Sequence, residues 1–291
     1  MSDVTVVTEG ITACVKWVDL RPEVDSLTGH VHHDERHFGF SAADGSAVGV
    51  ALQLGSAWDV PVTVVCAAPV GAESALREMA ARRIDRVVRI DLDPSAAPAT
   101  VAAALALHIS GSVVVCGDHS LDRGSGSVPA FLAHHLGVAQ ALGLSEVGLS
   151  VVEARAGDPG ARRLTALRRL GGGRKERLDI TAPAVISVEA GVGHLPRAAL
   201  AAVLAARTTV IEVHAAHHAA AAPTTTTTGV VGPYRPRPRA LPAPAATAAF
   251  DRVLELTGAL VERTPPQRLD LDPEAAATAI LEAVRAWTST G

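Results

Sequence analysis

Four short runs constrain this chain more than any other feature. ITACVKWV (Ile11–Val18), VPVTVVCAA (Val60–Ala68), RVVRIDL (Arg86–Leu92) and SVVVCGD (Ser112–Asp118) are β-branched and apolar at nearly every position, not at every second one. A strand apolar on both faces must be covered on both faces, which is the condition of a parallel sheet between helices. Alanine-rich segments of helical character fall between the runs, at Ser46–Ala57, Ala72–Arg83 and Pro98–Ile109. The strand–helix rhythm predicts a three-layer α/β core, its sheet mostly parallel and its crossovers right-handed.

The text changes after Val147. LSVVEARA (149–156), RRLTALRRL (162–170) and PAVISVE (183–189) read as strands around a GGGRKE turn, Gly171–Glu176, followed by a helix over Arg197–Ala206 and a strand over Thr208–Val213. Residues 1–213 are therefore expected to form the core. Residues 214–249 are rich in Ala, His, Thr and Pro and read as a linker. Residues 250–291 end in DPEAAATAILEAVRAW, expected to be a helix capped by Asp272, started by Pro273, and striped with Ile280, Val284 and Trp287. One such helix cannot bury its own stripe, so this helical arm is expected to pack on another surface.

Composition narrows the function classes. At 291 residues the chain is long enough for a substantial core, and 48% hydrophobic with 3% aromatic residues means a core of Ala, Val and Leu. A net charge of -4 argues against a nucleic-acid binder held by phosphate attraction. No apolar run reaches the length of a membrane span and no basic leader precedes one, so a cytoplasmic location without stable membrane insertion is expected. Cys14, Cys66 and Cys116 have neither metal nor disulfide spacing and read as small packing residues at strand ends.

The loop after the fourth strand, CGDHSLDRGSGSVPAFLAHHLG (Cys116–Gly137), runs through small residues into a helical pattern. A phosphate site needs convergent backbone N–H groups, glycine where a ligand approaches, and a helix N-terminus behind them. Gly124, Ser125, Gly126 and Ser127 supply the first two, and Val128–Leu136 the third. The stretch matches neither the Walker lysine loop nor G-x-G-x-x-G. On its own it reads more readily as a tight βα connection than as a phosphate site. Its place at the carboxyl end of a parallel strand is where ligands of such sheets bind.

Several ordered motifs together resemble the beta subunit of electron transfer flavoproteins. They are CVKWVD, the D-x-x-A-x-x-x-AL pattern at Asp44, Ala47, Ala51 and Leu52, GDHSLDRGSGSVPAFLAHHLGVAQ, and RRLGGGRKERLDITAPAVISVEAG, with a weaker echo in PPQRLDLDPEAAATAILEAVRAW. DRGSGSVPAFLA is similar to the divergent actinobacterial form associated with mycofactocin systems. The resemblance implies the adenine-nucleotide-binding sheet of that family and a heterodimer with an alpha subunit that holds or shares FAD. AMP, or a second FAD, would occupy this chain. Electrons would pass from a dehydrogenase to a downstream acceptor, with the chain acting as a carrier subunit rather than as a catalyst with its own reactive side chains.

Carried over by position, the resemblance implies nucleotide contacts at Cys14, at Ser41, Ala42, Ala43 and Asp44, at Cys66, at Gly117, and along Asp122, Arg123, Gly124, Ser125, Gly126, Ser127 and Val128. Ser125 and Ser127 would face phosphate, and Asp122 would orient the loop or meet a ribose hydroxyl. Relatives often carry an acidic residue at Gly124 and glutamine at Ser127. The partner-docking loop would be Val192, Gly193, His194, Leu195, Pro196 and Arg197. Many relatives read N-E-P-R-Y-P where this chain reads His194-Leu195-Pro196-Arg197-Ala198-Ala199, so the donor is expected to differ from the fatty-acyl-CoA dehydrogenases.

Other features take plainer readings. HVHHDERH (30–37) lacks the helical H-E-x-x-H spacing of a zinc site and reads as a solvated, pH-sensitive loop. His134 and His135 are adjacent on a helix and cannot easily share an ion. Arg235, Arg237 and Arg239 lie in a proline-rich spacer. Ser120 lacks the G-x-S-x-G context of a hydrolase nucleophile. A nucleotide-sensing module of the same fold without redox function is the alternative reading, and bound flavin separates the two.

Overall fold

The computed structural model describes residues 10–109, 111–148, 162–216, 243–258 and 268–288. The chain divides into two compact units, Met1–Pro233 and Tyr234–Gly291.

In the first unit, β1 (Ile11–Val15) is followed by β2 (Trp17–Asp19), β3 (Glu23–Val24), β4 (Val31–His32), β5 (Phe38–Phe40) and α1 (Ala42–Trp58). Alternation then sets in with β6 (Val62–Ala67), α2 (Glu73–Ala80), β7 (Arg86–Asp91), α3 (Pro98–Ala106), β8 (Val113–Gly117) and α4 (Val128–Leu136). It ends with β9 (Ala139–Gly148), β10 (Arg163–Arg169), β11 (Lys175–Thr181), β12 (Ala184–Val188), α5 (Leu200–Ala206) and β13 (Glu212–Ala215). Nine strands form one sheet in the order β11-β10-β9-β12-β8-β1-β6-β7-β13. Every pairing from β9 through β12, β8, β1, β6 and β7 to β13 is parallel, and β10 and β11 close one edge as an antiparallel hairpin.

Two apolar layers flank the sheet. Ala47, Val48, Val50, Ala51 and Leu54 of α1 and Leu76 and Met79 of α2 pack on Ile11, Ala13, Val64, Val115 and Ile186. On the other face Ala102 and Leu105 of α3 and Leu132 and Ala133 of α4 pack on Cys14, Val65, Val88 and Val114. Both faces of β1, β6, β7 and β8 are thus covered, as their uniformly apolar text requires.

Several expectations are corrected in detail. Ile11–Val18 does not form one strand, because the chain leaves the sheet at Lys16 and Trp17–Asp19 pairs with β5 in a separate ribbon. β9 was not expected. It follows β12 in parallel through Leu144, and from Leu144 onward it pairs with β10, the bend falling at Gly143 with φ +68. Gly143 N–H donates to buried Ser187 Oγ at 2.9 Å, which fastens the bend. The expected GGGRKE turn is shorter, since Lys175 and Glu176 already belong to β11. The helix expected from Arg197 starts at Leu200, and the strand expected over 208–213 runs from Glu212 to Ala215. LSVVEARA lies outside the described residues.

The second unit holds α6 (Ala249–Thr257) and α7 (Pro273–Thr288), two helices where one was expected. Asp272 Oδ1 accepts from the N–H groups of Glu274 and Ala275 at 3.1 and 3.0 Å, so the anticipated cap is formed. Phe250 on α6 and Ile280 on α7 are exposed, and the side chain of Trp287 lies outside the described residues. Among the described residues no helix is long and apolar enough to cross a membrane.

Candidate functional site

From β1 the chain moves to β6 and β7 on one side, and β8 then returns to pair with the other side of β1. Strand order therefore reverses between β1 and β8. The helix that follows β1 covers one face of the sheet and the helix that follows β8 covers the other. Chains diverging in this way leave a crevice at the carboxyl ends of the two strands, where ligands of open α/β sheets bind.

The segment from Gly117 to Val128 borders that crevice. A Cβ on Gly117 would lie 3.1 Å from Ala43 Cβ and 3.3 Å from the Asp44 nitrogen, so β8 abuts the start of α1. Gly124 and Gly126 have φ of +63 and +57. Ser127, next to Gly126, is right-handed at φ -87 and ψ -21. Such a left-handed and right-handed pair turns successive N–H groups into one concavity suited to an anion. The N–H groups of Ser125, Gly126 and Ser127 have no acceptor among the described residues. The hydroxyls of Ser125 and Ser127 lie 3.0 Å apart. A Cβ at Gly126 would collide with the Asp118 carbonyl oxygen, which only glycine avoids.

Two contacts fix this loop. Lys16 Nζ reaches Asp122 Oδ1 at 2.7 Å and Oδ2 at 2.5 Å, tying the end of β1 to the loop across the crevice. Opposed by burial, the Lys16 hydrogen bond holds the Asp122 carboxyl below its ordinary range, helped by Ser120 and the Arg123 amide. Arg123 turns the other way and donates to the carbonyls of Ala96 and Ser95 at 2.9 and 2.6 Å.

Ser41 and Asp44 form a reciprocal capping box at the head of α1. Asp44 Oδ2 accepts from Ser41 N–H at 3.0 Å and from Ser41 Oγ at 2.6 Å, and Oδ1 accepts from Lys16 N–H at 3.1 Å. Burial raises the Asp44 pKa despite these bonds. Asp44 thus braces the site from beneath, while Ala42 is exposed and Ala43 is buried against Gly117.

The cysteines separate. Cys14 and Cys116 are direct neighbours across β1 and β8 on the face of α3 and α4. The Cys116 thiol beside it, together with burial, holds the Cys14 pKa well above the ordinary thiol value. Cys66 lies on the opposite face, fully buried, and burial pushes its thiol up to about 12. Cys14 and Cys66 are thus protonated packing groups rather than reactive thiolates, and Cys116 is buried beside Cys14.

The segment Val192–Arg197 is seated on α1. Gly193 N–H donates to Ser46 Oγ at 2.7 Å, and a Cβ on Gly193 would collide with the Ser46 carbonyl oxygen and lie 2.6 Å from the Val50 nitrogen. Gly49 of α1 faces the backbone of His194, where a Cβ would come within 2.7 Å. Val192 and Leu195 pack on the core, Pro196 is half-buried, and His194 and Arg197 are exposed.

Sequence reasoning missed the Lys16–Asp122 link, the partnership of Cys116 with Cys14, and buried Arg89. Arg89 donates to Ala68 O at 2.9 Å and to Asp91 Oδ1 at 2.6 Å beneath the loop that follows β6. An arginine inside an apolar strand run was the available signal. His30, His32 and His33 are exposed, His37 is half-buried, and His134 and His135 both face solvent. Among the described residues no cluster of three metal-ligating side chains forms. Two shallow concavities among the described residues, of about 240 and 320 Å³, lie at β9–β11 and at the C-terminal end of α4, away from the loop.

The family model for the electron transfer flavoprotein domain matches residues 28–219, more than half of the chain. No curated protein matches it.

Proposed function

The chain belongs to the electron transfer flavoprotein domain family, and on that premise we propose that it is the beta subunit of a heterodimeric electron transfer flavoprotein of the mycofactocin-associated kind. It relays electrons from a dehydrogenase, other than the fatty-acyl-CoA type, to a downstream acceptor in the cytoplasm. An adenylate, AMP or the adenylate half of a second FAD, occupies the crevice between β1 and β8. FAD is held by or shared with the alpha subunit.

One observation carries the reading. At the reversal of strand order, Gly126 and Ser127 form a left-handed and right-handed pair, and three consecutive amides beside two serine hydroxyls lack acceptors among the described residues. Lys16 lies at the same mouth, its ammonium paired with the Asp122 carboxylate. These donors suit an anionic phosphate, and the absence of a Cβ at Gly126 preserves the backbone that presents them. When bound, the flavin supplies the electron-transfer chemistry, and the protein supplies position and field. In this chain Asp44 fixes the head of α1, Lys16 and Arg123 fix the loop, and Ser125 and Ser127 meet the phosphate. The loop Val192–Arg197 and the helices of the second unit meet partner proteins.

Co-expression with the alpha subunit, followed by acid extraction and an absorption spectrum, tests this. The pair should be yellow, bleach on reduction, and release AMP or FAD. Gly126→Val should release its nucleotide on gel filtration while the heterodimer still forms. A folded pair that yields no nucleotide would refute the crevice assignment, and a colourless pair retaining nucleotide would favour the sensing module.

A further inference from the structure

Charge is distributed unevenly in this chain. Between Arg162 and Thr181 there are seven basic and two acidic residues, whereas the remainder carries 19 basic and 28 acidic ones. The basic stretch folds as the β10–β11 hairpin at the antiparallel edge of the nine-stranded sheet. Its inner face is apolar, with Leu164, Ala166 and Ile180 buried in the core.

The outer face is unusual for a hairpin that only has to be soluble. Arg169 and Lys175 are direct partners in the ladder, and Arg177 follows on the same side. Like charges placed opposite each other destabilise an antiparallel pair. Each of the two has a single carboxylate partner at the long end of ion-pair range, Glu189 at 3.4 Å from Arg169 and Glu146 at 3.4 Å from Lys175. Both cations remain more than half exposed, at 69% and 57%. The Arg174 side chain at the turn donates to the Gly171 carbonyl at 3.2 Å and to no carboxylate among the described residues, and Arg177 is exposed. A single charge is enough to blunt an edge strand against aggregation. Four cations around one turn, two of them opposed, exceed that need.

We propose that the outer face of the β10–β11 hairpin, centred on Arg169, Arg174, Lys175 and Arg177, docks a protein surface bearing clustered Asp and Glu carboxylates. Guanidinium groups match carboxylates in pairs, which selects such a surface over a single anion. A nucleic-acid duplex is disfavoured because the acidic remainder of the chain would face its continuous phosphates. The hairpin itself also interleaves Glu176 and Asp179 among its cations. Docking here is independent of the nucleotide crevice and of the Val192–Arg197 loop, so it stands or falls separately from the assigned function.

The test uses the full-length chain and fluorescein-labelled poly-L-glutamate of about 50 residues, read by anisotropy at low salt. The wild type should bind, and binding should weaken as salt rises. The variant R169Q/R174Q/K175Q/R177Q should bind about tenfold more weakly, the loss expected of four exposed ion pairs, with an unchanged or higher melting temperature. R235Q/R237Q/R239Q, which removes charge elsewhere, should bind like the wild type. Equal losses in both variants, or no binding by the wild type, would overturn the proposal. A DNA duplex of matched charge binding as tightly as poly-L-glutamate would overturn the assignment to an acidic protein.

Discussion

Replacing Asp44 by alanine tests the bracing of the site. The side chain is 7% exposed and accepts Lys16 N–H, Ser41 N–H and the Ser41 hydroxyl. Alanine leaves the other half of the capping box intact, because the residue 44 N–H still donates to Ser41 Oγ. Two backbone amides lose their acceptor, at about 1–3 kcal/mol each, so a loss of about 3 kcal/mol is expected. For a unit of this size that is a fall in melting temperature of roughly 6–12 °C. Urea unfolding followed by the fluorescence of Trp17 and Trp58 measures it. Ser41→Ala, which removes the cap acceptor and one donor to Asp44 but leaves both backbone amides their carboxylate, should lose about 1 kcal/mol. Because burial raises the Asp44 pKa above its unfolded value, its contribution is complete below the ordinary carboxylate range and declines as pH rises through the raised value. The difference in stability between the wild type and Asp44→Asn should shrink in the same direction. A loss under about 1 kcal/mol for Asp44→Ala would mean that water satisfies both amides, and the bracing argument would fail.

Lys16→Met should lower global stability by no more than about 1 kcal/mol, since the pair it breaks is one-third exposed, yet speed amide exchange between Asp118 and Ser127. Glu212 is held down to about 2 by its hydrogen bonds to Arg86 and His214. Its stabilisation of the β7–β13 edge is therefore complete above about 4.5 and lost as pH falls towards 2, visible as faster β13 amide exchange in acid that Glu212→Gln abolishes. Gly193→Ala should open Val192–Arg197 to proteolysis without unfolding the core, because the added Cβ meets α1 backbone that cannot yield. Retained resistance would show that the loop can be reseated.

The core strands were legible because burial on both faces forbids polar residues, leaving a continuous signal in β1, β6, β7 and β8. β9 and β11 obeyed other rules. AQALGLSEVG contains two glycines, one of them at the bend, and few β-branched residues, so propensity argued against the strand that its neighbours impose. KERLDIT shows a charged face because only one side is covered. Ile11–Val18 was apolar enough for one strand, but Lys16 marks where the chain departs. At the site, glycine and serine in the β8–α4 loop announced a tight connection, and the positive φ values followed. The Lys16–Asp122 contact joins residues 106 apart, and no local pattern encodes such a meeting. Cys66 read like the other cysteines, although strand alternation sends it to the opposite side of the sheet.

Where Gly193 and His194 rest on Ser46, Gly49 and Val50, main chain touches main chain. Side chains at an ordinary joint can swap rotamers and absorb a small slip. This joint has no such cushion, so the segment from Val192 to Arg197 is either seated or released, with few intermediate positions. The same helix carries Ser41 and Asp44 one to two turns earlier, at its N-terminal end, so one short rigid stretch of α1 holds both the seat of this segment and the brace of the crevice.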